Sequence, residues 1–162
     1  MKKTLIALLA ATVCLTGCGN DNEVGDVSLG LFTLKDIKIN TFTDPQVPGV
    51  TCHVASVEAN LSLADPSDNS VSCRQTGRIT PEMIAAIDKS KAGEVIFKKS
   101  KSILLKNMKI RRIYDADSQS LLYIAYSTKE TTGSFKHSLS TVPLWGTDAY
   151  HPNSAANFLS RV

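Results

Sequence analysis

Four residues near the N-terminus, Leu15-Thr16-Gly17-Cys18, set the terms on which the rest of this chain folds. They close a segment with two lysines, Lys2 and Lys3, and an apolar run from Leu5 to Val13. Basic start, apolar middle and a small-residue ending are the layout of a secretory signal. The small-small-Cys ending matches the bacterial lipobox, whose cysteine is acylated and becomes the first residue after cleavage. About ten apolar residues are too few to span a bilayer as a stable anchor. The predicted organisation is a lipoprotein signal peptide at 1–17, a tether at 18–26, one domain at 27–145 and a C-terminal extension at 146–162. Lipid on Cys18 anchors the chain to a membrane facing the periplasm. Gly19 follows it where many Gram-negative inner-membrane lipoproteins carry Asp, which favours the outer membrane.

Removing residues 1–17 leaves 145, enough for one domain with a proper core. Lys2 and Lys3 depart with the signal, so 16 bases face 15 acids. A net charge of +1 makes no case for nucleic acid as a partner. Of four cysteines, Cys14 lies in the apolar run and Cys18 carries lipid. Cys52 and Cys73 remain, in a compartment that favours disulfides, and two cysteines allow one connectivity. Closing a loop of this length contributes roughly 3 kcal/mol.

Beyond the tether the chain reads as strands. Ile37, Ile39 and Thr41 alternate with Lys38 and Asn40, the period of a half-buried strand. Asp44-Pro45-Gln46-Val47-Pro48-Gly49 is a turn, its backbone fixed by two prolines and a glycine. From Val50 to Val57, Val50, Cys52 and Val54 share one face and Thr51 and His53 the other. Cys73 shares a face with Val71, and Asp65 to Ser70 is a surface loop. One helix is predicted: Thr80 as N-cap, Pro81 in the first turn, Met83, Ile84 and Ile87 as the buried stripe, Lys89 and Lys91 in the last turn, Gly93 as terminator. Residues 93–128 read as a three-stranded meander. Its turns lie at Lys99–Ser102 and Asp115–Gln119, with a bulge near Lys106-Asn107. Leu121 to Ser127 is apolar on both faces, as a covered central strand requires. A short helix is predicted near Phe135 to Leu139, and a partly ordered tail from Gly146. The fold class is a single α+β domain, mainly antiparallel β-sheet with one helix packed on it.

Charge is uneven. Residues 18–88 carry 4 bases and 10 acids; residues 89–112 carry nine bases and the single acid Glu94. Lys98, Lys99, Lys101, Arg111 and Arg112 form a candidate surface for an anionic partner. The blander reading is solvated strand edges, where lysine discourages edge pairing. Adjacent Arg111 and Arg112 face opposite sides of a strand, so one is placed to turn inward toward a carboxylate.

No metal, cofactor or catalytic signature emerges. His53, His137 and His151 have no paired spacing. Asp115-Ala116-Asp117 matches the start of a calcium loop, but Ser120 and Tyr126 occupy the places of its glycine and its bidentate glutamate. There is no Gly-x-Ser-x-Gly elbow and no glycine-rich phosphate loop.

Several stretches together resemble the CreA family of small bacterial periplasmic proteins. They are Phe42-Thr43-Asp44-Pro45, Val50-Thr51-Cys52, Ser72-Cys73-Arg74-Gln75, Gly93-Glu94-Val95-Ile96-Phe97-Lys98-Lys99, Tyr114-Asp115-Ala116 and Ala125-Tyr126-Ser127. The resemblance runs from about Glu23 to Pro143. It implies a secreted, cysteine-paired domain and brings no catalytic residue. The chain departs from that pattern in its lipobox and in its tail beyond Trp145.

Two functional classes follow. The favoured one is a membrane-tethered envelope lipoprotein that binds or supports an anionic envelope component or a protein partner, without chemistry of its own. The rival is an envelope hydrolase with a nonstandard Ser/His/Asp site. The first expects a filled core; the second expects a histidine beside a nucleophile in a cleft.

Overall fold

The computed structural model describes residues 22–30, 35–59, 69–100, 107–128 and 136–152. Cys18, Lys101, most of the 65–70 loop, Lys106 of the expected bulge and the tail from 153 lie outside them.

Alternating, β-branched segments separated by turns give two consecutive meanders. The first holds β1 (Glu23–Ser28), β2 (Lys35–Thr43), β3 (Val50–Ala59) and β4 (Asn69–Gln75), antiparallel in that order. The second holds β5 (Glu94–Ser100), β6 (Asn107–Asp115), β7 (Ser120–Thr128) and β8 (His137–Pro143). One short helix, α1 (Pro81–Ala86), stands between them. Thus the chain is mainly antiparallel sheet, in two sheets rather than one.

Local chemistry accounts for the elements and for departures from expectation. Residues 23–26, predicted as tether, are strand, because Lys38 on β2 forms ion pairs with Glu23 (3.1 Å) and Asp26 across the ladder. The helix begins as predicted, with Thr80 Oγ1 accepting the Met83 N–H at 3.4 Å. It stops at Ala86, well before Gly93. Asp88 draws off the Ser90 N–H (2.8 Å) with its own side chain, a local turn that competes with helix. Of the helix predicted near Phe135 to Leu139, Phe135 lies outside the described residues and His137 to Leu139 instead begin β8, which pairs with β7 from Tyr126↔His137 to Ser120↔Pro143. Ladder pairing, rather than periodicity, decides that segment. Residues 147–151, placed in the extension, pack onto the domain: Ala149 is buried, Arg78 pairs with Asp148 at 2.7 Å, and the Gln119 side chain makes two 2.8 Å hydrogen bonds with the His151 backbone.

The core lies between the sheets. Val50, Cys52 and Val54 from β3 meet Ile110 from β6, Leu121, Tyr123 and Ala125 from β7, and Val142 from β8. Ile84 of α1 is buried in the same cluster. Each such side chain contributes on the order of 1.5–3 kcal/mol. A bulge between Val95 and Phe97 turns consecutive residues Ile96 and Phe97 toward the core, where Phe97 stacks on Phe42 at 4.7 Å.

Candidate functional site

Among the described residues the densest polar chemistry is a row across the inner face of the second sheet. Register sets it: Glu94 on β5 lies opposite Arg112 on β6, Arg112 opposite Tyr123 on β7, and Tyr123 opposite Ser140 on β8. Gly93 brings the start of this row into line. Its φ is +62°, and a Cβ there would sit 2.1 Å from the Arg112 carbonyl oxygen, so only glycine fits.

Facing the row from the first sheet is the turn after β2. Asp44 Oδ1 accepts the N–H groups of Gln46 (3.0 Å) and Val47 (3.1 Å), which lock the carboxylate in place. The same oxygen accepts Arg112 Nη1 at 2.6 Å, and Oδ2 accepts the Tyr123 hydroxyl at 2.9 Å. Arg112 Nη2 donates to Glu94 Oε2 at 3.0 Å and to Gln46 Oε1. Asp44 is 0 % exposed and Arg112 1 %, whereas Glu94 is 40 % exposed and marks where the cluster opens to solvent. Burial, then the Asp44 charge, pushes the Tyr123 phenol far up, so it stays protonated and donates. Two ions this deep carry a large desolvation cost, offset here by hydrogen bonds on every side.

The far end of the row reaches the disulfide. Ser140 Oγ accepts the Cys73 N–H at 2.8 Å and donates to the Cys73 carbonyl at 3.4 Å. Those backbone groups therefore point away from β3, which makes Cys52↔Cys73 a non-hydrogen-bonded pair, the closer kind in an antiparallel ladder. The two cysteines are joined as a disulfide, with Cα atoms 4.0 Å apart.

The residues singled out from the sequence divide accordingly. Arg112 is corrected from surface to core: its side of the β6 pleat faces Asp44, and it takes no part in an exposed patch. Arg111, on the opposite face, donates to the carbonyls of Ala92 (2.6 Å) and Gly93 (3.3 Å). Lys98 is exposed on β5, and Lys99 lies opposite Met108 in the same ladder. Nothing in the sequence marks Asp44, Gln46, Glu94 and Tyr123 as a set, although Asp44 and Glu94 stand in the stretches that carry the family resemblance. Among the described residues no group of three or more His, Cys, Asp and Glu is placed to hold a metal. Asp115 serves a tight turn, accepting from the Asp117 and Ser118 N–H groups and the Ser118 hydroxyl.

Chemically the buried part of the row is satisfied by groups of the first sheet. Both Asp44 oxygens are taken, Ser140 is committed to the Cys73 peptide groups, and the neighbour of that serine in the row is a phenol rather than an imidazole.

Fold and row together define a two-sheet, disulfide-joined β domain locked by a buried ion pair. The CreA protein family matches residues 24–147, and the chain belongs to that family. Protein CreA of Escherichia coli strain K12 is 36% identical over 154 residues, covering 89% of this chain and 97% of that protein. The CreA proteins of strains CFT073 and O157:H7 match to the same extent. No solved structure matches the chain.

Proposed function

We propose that this CreA-family chain is a membrane-tethered envelope lipoprotein, held by lipid on Cys18 at the outer membrane, that binds or supports a partner through its surface. One observation supports the non-enzymatic part: Asp44 and the row from Arg112 to Ser140 spend their charges and hydroxyls holding two sheets together. A catalytic set needs a nucleophile and a base left free to exchange protons. The tether rests on Leu15 to Cys18.

The test has two readouts. Parent protein should incorporate labelled palmitate and float with membranes, and Cys18→Ser should do neither. Labelling of the variant overturns the tether. A fluorophosphonate probe should leave the native protein unmodified. Covalent capture at a serine would favour the hydrolase instead.

A further inference from the structure

We infer that the outer face of the β5–β8 sheet docks onto an anionic bilayer surface. This deepens the proposal above by naming what the tethered domain rests on.

The pleat separates the two faces. On β6, Met108, Ile110 and Arg112 point into the core, which leaves Lys109, Arg111 and Ile113 outside. On β7, Leu121, Tyr123 and Ala125 are buried, while Leu122, Ile124 and Tyr126 stay half-exposed. Register then stacks the outer residues in rows. One row reads Val95, Arg111, Ile124, Leu139, and Leu139 is 59 % exposed. Beside it, toward one end of the sheet, the next reads Lys98, Lys109, Tyr126, His137. On its other side Ile113 pairs with Leu122. Hydrocarbon thus dominates two rows, with Arg111 the base among it, and Lys98 and Lys109 sit together in a third.

The sign of the charge is uniform. Among the described strand residues of this sheet the acids are Glu94 and Asp115, and both are committed, to Arg112 and to the Asp115 turn. In the first sheet Glu23 and Asp26 are paired with Lys38, and the outer face carries the row Val27, Ile37, Val57. Where the first sheet approaches the second it meets the inner face, β4 through Ser140 and β2 through Phe42 on Phe97.

A face with two lysines at one end, Arg111 beside them and mainly apolar side chains beyond suits a bilayer surface, with anionic head groups outside and acyl chains below. Lysine stems and the tyrosine ring are suited to that boundary, with apolar bodies and polar tips. Glu23 is the fifth residue after Cys18, a reach of about 18 Å at full extension, so lipid on Cys18 keeps the domain at the bilayer.

The test uses the full chain carrying Cys18→Ser, with its disulfide intact, so that lipid plays no part. Trp145 is the only tryptophan and becomes Phe. A single reporter is then introduced as Leu139→Trp on the proposed face or Val27→Trp on the outer face of the first sheet. Vesicles of phosphatidylcholine, with or without phosphatidylglycerol, provide the surface, and brominated lipid the quencher. The reporter at Leu139 should shift to the blue and be quenched on anionic vesicles, while the reporter at Val27 should not. Lys98→Gln with Lys109→Gln should weaken that binding about 25-fold, roughly fivefold per base. The effect should fade as salt rises, with circular dichroism unchanged throughout. Equal responses from the two faces, a response indifferent to phosphatidylglycerol, or none at all overturns the inference. A response to polyglutamate but not to vesicles also overturns it, in favour of an acidic protein partner. Palmitate labelling of Cys18 is read separately, so failure of the docking face and failure of the tether are distinguishable.

Discussion

Asp44→Asn removes one buried charge and almost no volume, which makes it the sharpest probe of the ion pair between the sheets. Asparagine keeps an oxygen for the Gln46 and Val47 N–H groups, and the Tyr123 hydroxyl can rotate to accept from the new amide. Arg112, 1 % exposed, loses its closest counter-ion and keeps Gln46 and the partly solvated Glu94. Breaking a buried pair from one side costs roughly 3–5 kcal/mol, and the surviving partners place this case near the lower end, about 3. With a urea m-value of about 2 kcal/mol per molar, the unfolding midpoint falls by about 1.5 M. Arg112→Met should cost a similar amount, because it strands Asp44. The double variant closes the cycle: both charges are then gone, and its cost should fall short of the sum by about 1–2 kcal/mol. Equilibrium urea unfolding of the four proteins, followed by far-ultraviolet circular dichroism, measures each quantity. Additive costs, or an Asp44→Asn midpoint within about 0.25 M of the parent, equivalent to about 0.5 kcal/mol, would refute the claim that this pair couples the sheets.

Two further outcomes follow from other parts of the fold. Alkylation without reductant, read by mass spectrometry, should find Cys52 and Cys73 blocked, and Cys52→Ala with Cys73→Ala should lose about 2–5 kcal/mol of stability; two free thiols in native material would contradict the pairing. The Asp115 carboxyl is held below its ordinary range, chiefly by the Ser118 hydroxyl. A depressed folded-state value adds stability above the unfolded carboxylate range, near 4, and that stability is lost as pH falls through the folded value. Carbon-detected NMR titration should show Asp115 moving up in Ser118→Ala, with a correspondingly smaller loss of stability in acid. An unchanged Asp115 titration removes Ser118 as the cause.

What the sequence discloses depends on whether the deciding contact is local. Alternation in Val50 to Val57 marks β3 through its buried face, whereas in β2 the alternation is real but inverted: Asn40 is buried and Ile37, Ile39 and Thr41 lie on the other face. The cap at Thr80 and the turn at Asp115 are readable because each is completed within three residues. The helix end is misread because Lys89, Lys91 and Gly93 imitate a C-terminus, while the actual stop lies in the Asp88 side chain. β8 carries Ser138, Ser140 and Thr141 with few apolar residues, and only the ladder with β7 reveals it as a strand. For the same reason the sequence shows that one of two adjacent arginines turns inward but not which carboxylate it meets. Asp44 lies 68 residues from Arg112 and 79 from Tyr123, beyond any spacing rule.

Those separations also bear on the order of events in folding. Each meander joins strands that follow one another along the chain, so its ladders close over short loops. The links between the halves, Asp44 to Arg112 and Cys73 to Ser140, span 68 and 67 residues and carry the larger loop-closure cost. Because synthesis runs from the N-terminus, the turn that seats Asp44 between Gln46 and Val47 exists before its counter-ion does. We infer that the carboxylate is positioned early, by its own turn, and neutralised last, when the second meander docks. Kinetics of Arg112→Met read this directly: the loss of stability should appear almost wholly as faster unfolding, and a matching slowdown in folding would reverse the order.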